Sequence, residues 1–227
     1  MKVPILLPNI FNHPFTYESK INLKVGDYVI VPFGKAKITG VVWNEFEKKT
    51  NKSFLIKQVL QKLHVPALKK NTIKFLNWFS EYNMTPKGMA LKLLLLSNNA
   101  IEKFSEENYK KFKSEIINNK IKLSIEQKDS LIKMNNLNKK FRVHVLQGIT
   151  GSGKTIVYFE ALKQLINKSF QGLIMLPEIG LTSQFEKKFI EFFGFNPAIW
   201  HSGVTKKNKK IIWSGIANGK IKVVIGA

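Results

Sequence analysis

Apolar residues recur in two rhythms along this chain. Val3, Ile5 and Leu7 are separated by single residues, the two-residue period of a strand with one buried face. Tyr28-Val29-Ile30-Val31 and Ile38-Thr39-Gly40-Val41-Val42 are short β-branched runs. Pro32-Phe33-Gly34-Lys35 between them is a turn signal, and Gly26-Asp27 is another. Ile56 to Leu63 reads as a further strand. Several short strands joined by tight turns predict a small barrel or curled sheet over residues 1–65.

From residue 66 the period lengthens. Asn71 or Thr72 is placed to cap a helix that puts Ile73, Leu76, Phe79 and Tyr82 on one face. Thr85-Pro86 reads as a cap followed by proline at the first helical position, opening a helix with Met89, Leu93 and Leu96. Trp78 and its neighbouring aromatics fall on the apolar stripe and are read as core. Residues 101–123 are charged and rich in asparagine. Ser105-Glu106-Glu107 starts an amphipathic helix using Tyr109, Phe112 and Ile116, and this stretch is read as a connector.

After residue 124 strands and helices alternate. Ser124-Ile125-Glu126-Gln127 is a capping box opening a helix to about Met134. Phe141 to Leu146 alternates as a half-buried strand does, and Ile156 to Ile166 is helical with Val157, Ala161 and Leu165 on one face. Strands at 172–176, 197–200 and 221–225 alternate with helices at 181–193 and 207–217. That order implies a parallel sheet with right-handed crossovers. Gly148, Pro177 and His201 each follow such a strand, so three loops converge on the carboxyl edge where ligands sit. The chain thus divides into a β-rich region (1–100), a connector (101–123) and an α/β region (124–227).

Composition narrows the class. The 227 residues suffice for one or two domains with a sizeable core. There is no cysteine, hence no disulfide framework and no thiolate metal site. No signal peptide is evident, and the longest greasy patch, Leu93 to Leu96, is too short to cross a bilayer; a soluble cytoplasmic protein is expected. A net charge of +22 favours a polyanionic partner through salt-sensitive attraction. All bases but Arg142 are lysine, a bias that AT-rich coding also produces, so a specific binding face and a generally solvated lysine surface both remain open.

The strongest chemistry lies in Gly148-Ile149-Thr150-Gly151-Ser152-Gly153-Lys154-Thr155, which fits the phosphate-binding loop G-x-x-x-x-G-K-[ST]. Glycines let successive N–H groups turn toward one anion, and the following helix adds free N–H groups and its positive dipole end. Lys154 is placed to reach the β- and γ-phosphates of ATP, and the Thr155 hydroxyl to ligate Mg²⁺.

These segments carry a resemblance. The phosphate loop, then Leu176-Pro177-Glu178-Ile179-Gly180-Leu181-Thr182-Ser183-Gln184, then His201-Ser202-Gly203, then Val223-Val224-Ile225-Gly226, stand in the order and spacing of the primosomal replication-restart helicases. The P-E-I-G-L-T run is more specific to that family than the loop. The resemblance is strong over 124–227 and looser before it. It implies a RecA-like first lobe of a superfamily 2 helicase that unwinds DNA 3′ to 5′ using ATP and Mg²⁺. It further implies recognition of stalled forks and single-stranded DNA, and partnership with primosome proteins and single-stranded-DNA-binding protein.

Carried over by position, Gln127 of Leu123-Ser124-Ile125-Glu126-Gln127 would read adenine; the capping box explains it equally well, and both roles can coexist. Thr182, His201 and Ser202 resemble residues along single-stranded DNA, although His201 is equally an ordinary loop histidine. Glu178 is read as structural. Phe15-Thr16-Tyr17, Val31-Pro32-Phe33-Gly34-Lys35 and Ile56-Lys57 resemble the family's pocket for a DNA 3′ end: an aromatic against the terminal nucleotide, open backbone at Gly34, and Lys35 and Lys57 near phosphate. Phe15 and Tyr17 facing the barrel core is the alternative. Thr16 stands where the family has Asp, an uncharged acceptor in place of a charged one.

Three further departures are expected to matter. In place of the family's winged helix stands a charged stretch of about twenty residues, and the sequence ends before the D-E-x-H segment. The family's cysteine-rich zinc site has no ligands in this chain. These residues alone are therefore expected to bind ATP and DNA without significant turnover. The competing classes are another phosphate-loop enzyme and a non-catalytic basic module with a vestigial loop.

Overall fold

The computed structural model describes residues 1–46, 55–95, 105–113, 121–135, 141–177 and 182–227. Leu96, Ile116 and Glu178–Leu181, which figure in the expectations above, lie outside the described residues. The chain splits into two compact units, Met1–Lys103 and Phe104–Ala227.

In the first unit, strands β1 (Lys2–Leu6), β2 (Phe15–Glu18), β3 (Tyr28–Phe33), β4 (Ala36–Val42) and β5 (Gln61–Lys62) form one sheet in the order β2-β1-β4-β3-β5. All its strand pairs are antiparallel. The stretch expected as a strand at 56–63 pairs as one only at Gln61–Lys62. Its remaining hydrogen bonds explain why. Glu18 N–H donates to the Lys57 carbonyl at 2.9 Å and Val59 N–H to the Glu18 carbonyl at 2.8 Å, while Leu60 N–H reaches the Ile30 carbonyl at 2.9 Å. One extended run thus leaves the β2 edge and joins the β3 edge, closing the sheet into a small barrel. Val3, Ile5, Leu7, Tyr17, Val29 and Val31 fill it, as the two-residue alternation requires.

Helices α1 (Lys70–Tyr82) and α2 (Lys87–Leu95) follow. α1 starts after Lys69 with no side-chain cap, so Asn71 and Thr72 lie inside the helix and do not cap it. Its buried face is Ile73, Leu76 and Ser80. Of the aromatics read as core, Phe79 is half-buried but three are exposed: Phe75 is 53% exposed, Trp78 53% and Tyr82 72%. They stack on one another along the outer face, with Trp78 and Tyr82 centroids 5.1 Å apart. α2 also rotates from expectation. It buries Gly88, Leu91 and Leu95, and Leu93 faces outward. A Cβ on Gly88 would lie 2.5 Å from the Asn9 carbonyl, and that close approach sets the helix's rotation.

In the second unit, parallel strands β6 (Gly172–Met175), β7 (Ala198–Trp200) and β8 (Val223–Gly226) stand in the order β6-β8-β7. Alternation along β8 sends Val223 and Ile225 to one face and Val224 to the other. The first face meets α4 (Lys154–Asn167) and α5 (Thr182–Phe193) through Phe159, Phe189, Phe192 and Phe193. The second meets α6 (Lys206–Ala217) and a 3₁₀ helix at Glu106–Phe112. That 3₁₀ helix stands where an amphipathic α-helix was expected. Phe112 enters the core, and the Tyr109 hydroxyl donates to Ser214 Oγ at 3.0 Å in a buried contact. Helix α3 (Ile125–Asn135) precedes the glycine loop.

The expected strand at 141–146 is absent: these residues form no regular element. Phe141 is 93% exposed, Val143 75% and Val145 89%. A strand needs a neighbour for its N–H and C=O groups and a layer for its apolar side chains. No strand pairs with this segment among the described residues, and those apolar side chains are left uncovered.

Candidate nucleotide and nucleic-acid sites

Residues 148–155 form a tight turn into α4. Gly151 (φ +85°) and Gly153 (φ +78°) take left-handed conformations, which only glycine adopts at little cost. A Cβ on Gly153 would lie 2.4 Å from Gln127 Nε2, whereas one on Gly151 would meet nothing within 4 Å. Backbone at Gly151 is therefore open to an approaching ligand. Ser152 N–H donates to the Ile149 carbonyl at 3.3 Å, closing the turn over Thr150. α4 has no side-chain cap at Gly153, so its first N–H groups are left to whatever occupies the turn.

Lys154 folds back over this turn. Its ammonium donates to the carbonyls of Gly148 (2.6 Å) and Ile149 (2.7 Å). Thr155, next on the helix, accepts a hydrogen bond on Oγ1 from the Tyr158 hydroxyl at 3.3 Å. Gln127 makes the capping box: its N–H donates to Ser124 Oγ (3.3 Å), and its Oε1 accepts from Ser124 N–H (3.0 Å). The same amide donates through Nε2 to the Ser152 carbonyl at 3.1 Å, which ties α3 to the loop. Glu126 beside it has its carboxyl held below the usual range by its own backbone N–H and then by the Ser124 hydroxyl.

The sheet positions two further loops. Met175 and Trp200 both register with Gly226, so the three strands end level. Pro177 and His201 lie just beyond them. Thr182 is the first residue of α5. His201 Nδ1 accepts the Gly203 N–H at 3.1 Å, which leaves the ring's proton on Nε2. Ser202 is exposed, and its carbonyl faces Lys209 Nζ at 3.5 Å. Thr205 caps α6 through the Asn208 N–H at 3.3 Å. The loop at Gly148 has no strand before it, so only two of the three expected strand-end loops follow a strand.

In the first unit, alternation separates three consecutive residues. Phe15 and Tyr17 point to the barrel interior, and Thr16, paired with Pro4, lies on the other face. Tyr17 is 4% exposed, and its hydroxyl donates to the Pro32 carbonyl at 3.1 Å. Its role is to hold the β3 end in place. Phe15 sits at the rim, with its ring 5.3 Å from that of Phe33. Gly34 (φ +59°) has nothing within 4 Å of a would-be Cβ, and Lys35 beside it is exposed. Lys57, also exposed, runs alongside Glu18. The structure therefore brings Phe15, Phe33, Gly34 and Lys35 to one rim. Sequence reading missed two rings there: Phe11 and His13 stand 5.3 and 4.9 Å from Phe15. Their signal was present as aromatics two and four residues before Phe15, in a loop whose course the periodicity does not give.

Among the described residues no three His, Cys, Asp or Glu side chains cluster as a metal site, and no helix is long and apolar enough to cross a membrane.

Comparison with known proteins bears on both units. The family described as 3′DNA-binding domain (3′BD) matches residues 2–96. The family described as Type III restriction enzyme, res subunit, matches residues 106–227. The replication restart protein PriA of Rickettsia conorii is 38% identical over 231 residues, covering 98% of this chain and 34% of that protein. That of Rickettsia felis is 40% identical over 229 residues, with the same coverage of 98% and 34%. That of Bacillus subtilis is 35% identical over 86 residues, 38% of this chain and 11% of its own. The chain thus spans about a third of the length of the Rickettsia relatives, 34% of each. With a 3′DNA-binding domain match followed by a res-subunit match, and with these relatives aligned over nearly its whole length, the chain belongs to the primosomal replication-restart family, whose N-terminal portion it matches.

Proposed function

We propose that these residues are the N-terminal portion of an ATP-dependent 3′ to 5′ DNA helicase of replication restart. On this reading 1–100 binds the 3′ end of DNA and 124–227 is the first part of a RecA-like lobe; 101–123, expected as a connector, gives Tyr109 and Phe112 to the second unit's core. The observation that carries it is the loop at 148–155. Two left-handed glycines, an uncapped helix start and a lysine ammonium already drawn onto loop carbonyls form a cradle for a polyphosphate.

In this cradle the Gly151 to Lys154 backbone would surround the phosphates, and Lys154 would exchange its carbonyl partners for β- and γ-oxygens. Mg²⁺ supplies charge neutralisation of those oxygens when bound, and Thr155 Oγ1 is the ligand this chain would offer it. Tyr158 holds that hydroxyl in place, and Gln127 would present its amide to adenine while buttressing Ser152. Thr182, His201 and Ser202 would line single-stranded DNA through backbone N–H groups and the His201 Nε2–H. Phe15, Thr16, Gly34, Lys35 and Lys57 would bind the nascent 3′ end, with Tyr17 positioning them. Forked DNA, primosome proteins and single-stranded-DNA-binding protein are the partners that follow. Nucleotide binding is assigned to these residues. Turnover also needs a carboxylate-held metal and a cation facing the loop; among the described residues Lys154 bonds to the Gly148 and Ile149 carbonyls.

Titration of the 227 residues with a fluorescent ATP analogue in Mg²⁺ tests this. Lys154→Ala should weaken binding by roughly tenfold or more, the loss of a charge-assisted contact. Equal affinity for wild type and Lys154→Ala would remove the nucleotide from this loop.

A further inference from the structure

Two ligands are proposed for the second unit, and a helix starts at each. α4 begins at Lys154 in the glycine loop, and α5 begins at Thr182. The two helices share one aromatic core, in which Phe159 is buried with Phe189, Phe192 and Phe193. Tyr158 lies half-buried on the margin of that core. Packing against hydrocarbon rings requires no hydroxyl, yet this ring carries one, and it donates to Thr155 Oγ1 at 3.3 Å. The polar atom of Tyr158 thus meets the residue to which Mg²⁺ is assigned.

The ring itself reaches α5. Tyr158 and Phe185 are nearly parallel, 13° apart, with centroids at 6.3 Å. Phe159 meets both edge-on, 5.3 Å from Tyr158 at 87° and 5.4 Å from Phe185 at 74°. Offset and edge-to-face pairs are the geometries that rings favour, so Phe185 and Phe159 together resist a shift of Tyr158. Tyr158 follows Thr155 by three residues, and Phe185 follows Thr182 by three. Each ring therefore sits about one turn inside its helix, behind the end at which a ligand is proposed.

We infer that Tyr158 is a positioning residue that couples the nucleotide loop to the start of α5, so that nucleotide and single-stranded DNA each tighten the binding of the other. This rests on the nucleotide and single-strand assignments above and adds the route between them. Thr155 Oγ1 has two lone pairs: one accepts the phenol, and the other is left for a metal. A ligand that fixes Thr155 fixes Tyr158 with it, and the stacked rings pass that restraint to α5. The second ligand then has less ordering to supply, which makes the coupling positive; linkage makes it reciprocal.

The experiment titrates the 227-residue chain with a fluorescent ATP analogue, with and without a covalently closed circle of single-stranded DNA. A circle offers the first unit no 3′ end. In Mg²⁺ the circle should tighten wild-type nucleotide binding by roughly fivefold or more, and the analogue should tighten circle binding by the same factor. Phe185→Leu keeps apolar bulk and leaves the phenol on Thr155. It should bind each ligand alone as wild type does and lose the coupling. Tyr158→Phe keeps the stack and removes the hydroxyl. It should weaken nucleotide binding by roughly threefold in Mg²⁺ but not in EDTA, and it should also lose the coupling. A side chain that only fills the core would leave the ratio of coupled to uncoupled affinity untouched. If Phe185→Leu loses both single-ligand affinities, Tyr158→Phe decides alone. Coupling retained in a variant that binds both ligands, or absent from a wild type that binds both, overturns the inference alone. Nucleotide binding indifferent to Lys154→Ala, or no binding of the circle, removes the underlying assignments and the inference together.

Discussion

The two units solve the same problem differently. The first closes its sheet: residues 57–62 bond to the β2 edge and then to the β3 edge, so the strands satisfy one another and enclose one core. The second builds a three-stranded parallel sheet whose β6 edge has no strand beside it among the described residues. β6 sends Ile174 into the aromatic core, but Leu173 and Met175 on its other face are 66% and 67% exposed. Closure makes a unit whose stability is internal. An open sheet leaves apolar surface and free backbone groups that a further layer or strand would cover. The glycine loop at 148–155 belongs to the open unit, where Phe141, Val143 and Val145 lead into it uncovered.

The largest test of that contrast is Gly40→Ala. The new Cβ would lie 2.6 Å from Ile5 Cγ2, 2.7 Å from Leu7 Cδ2 and 2.9 Å from the Leu6 carbonyl. Overpacking of this kind costs about 3 kcal/mol where backbone cannot yield. Hydrogen exchange should show protection lost throughout residues 1–95 as one block, with β6 to β8 unchanged. Loss confined to β4 would contradict a closed, cooperative barrel.

Next comes alkaline pH. Burial pushes the Tyr17 hydroxyl up from 10.0 to about 12, and burial raises Tyr28 too. A folded pKa above the unfolded one gives stability that is complete below pH 10 and is lost as pH rises through the folded value. For Tyr17 the upper bound is about 3 kcal/mol, at 1.36 kcal/mol per unit. The barrel should weaken between pH 10 and pH 12 by circular dichroism, and Tyr17→Phe should move that midpoint upward. An unchanged midpoint would mean that the phenol is not buried as described.

Smaller still is Tyr109→Phe, which removes the buried bond to Ser214 and should cost about 1 kcal/mol. The loss should appear as faster exchange in α6, with the barrel's protection unaltered. The smallest effect should be Leu173→Ser. Outward positions on an open edge change stability by about 0.5 kcal/mol or less. The same change at Val29, which is fully buried, should cost several times more; equal costs would erase the difference between closed and open sheets.

Sequence patterning gave most of the strands and helices, near partners or far. β1, β3, β4 and the second unit's sheet all fall where alternation places them, as do the starts of α4 and α6 within two residues. It misread elements whose burial depends on distant packing. Phe75, Trp78 and Tyr82 form an apolar stripe that helical spacing cannot distinguish from a core stripe, because which face is covered depends on where α1 meets α2. Leu93 turned outward because Gly88 drew its own face inward. Phe141 to Leu146 alternates correctly, but alternation cannot supply a neighbouring strand. The turn at 148–155 was legible as a turn into a helix, since its glycines and lysine act through local backbone. The hydrogen bond from the Gly88 N–H to the Phe11 carbonyl was not, because 77 residues separate the two, a separation given by 88 − 11.

Amide chemical shifts of the 227-residue chain, followed while ATP or adenosine is added in Mg²⁺, test the phosphate cradle most directly. ATP should move the Gly151, Ser152, Gly153, Lys154 and Thr155 resonances strongly, and adenosine should leave them in place. Shifts at those amides with adenosine alone, or ATP-induced shifts confined to other residues, would contradict a loop that grips phosphate.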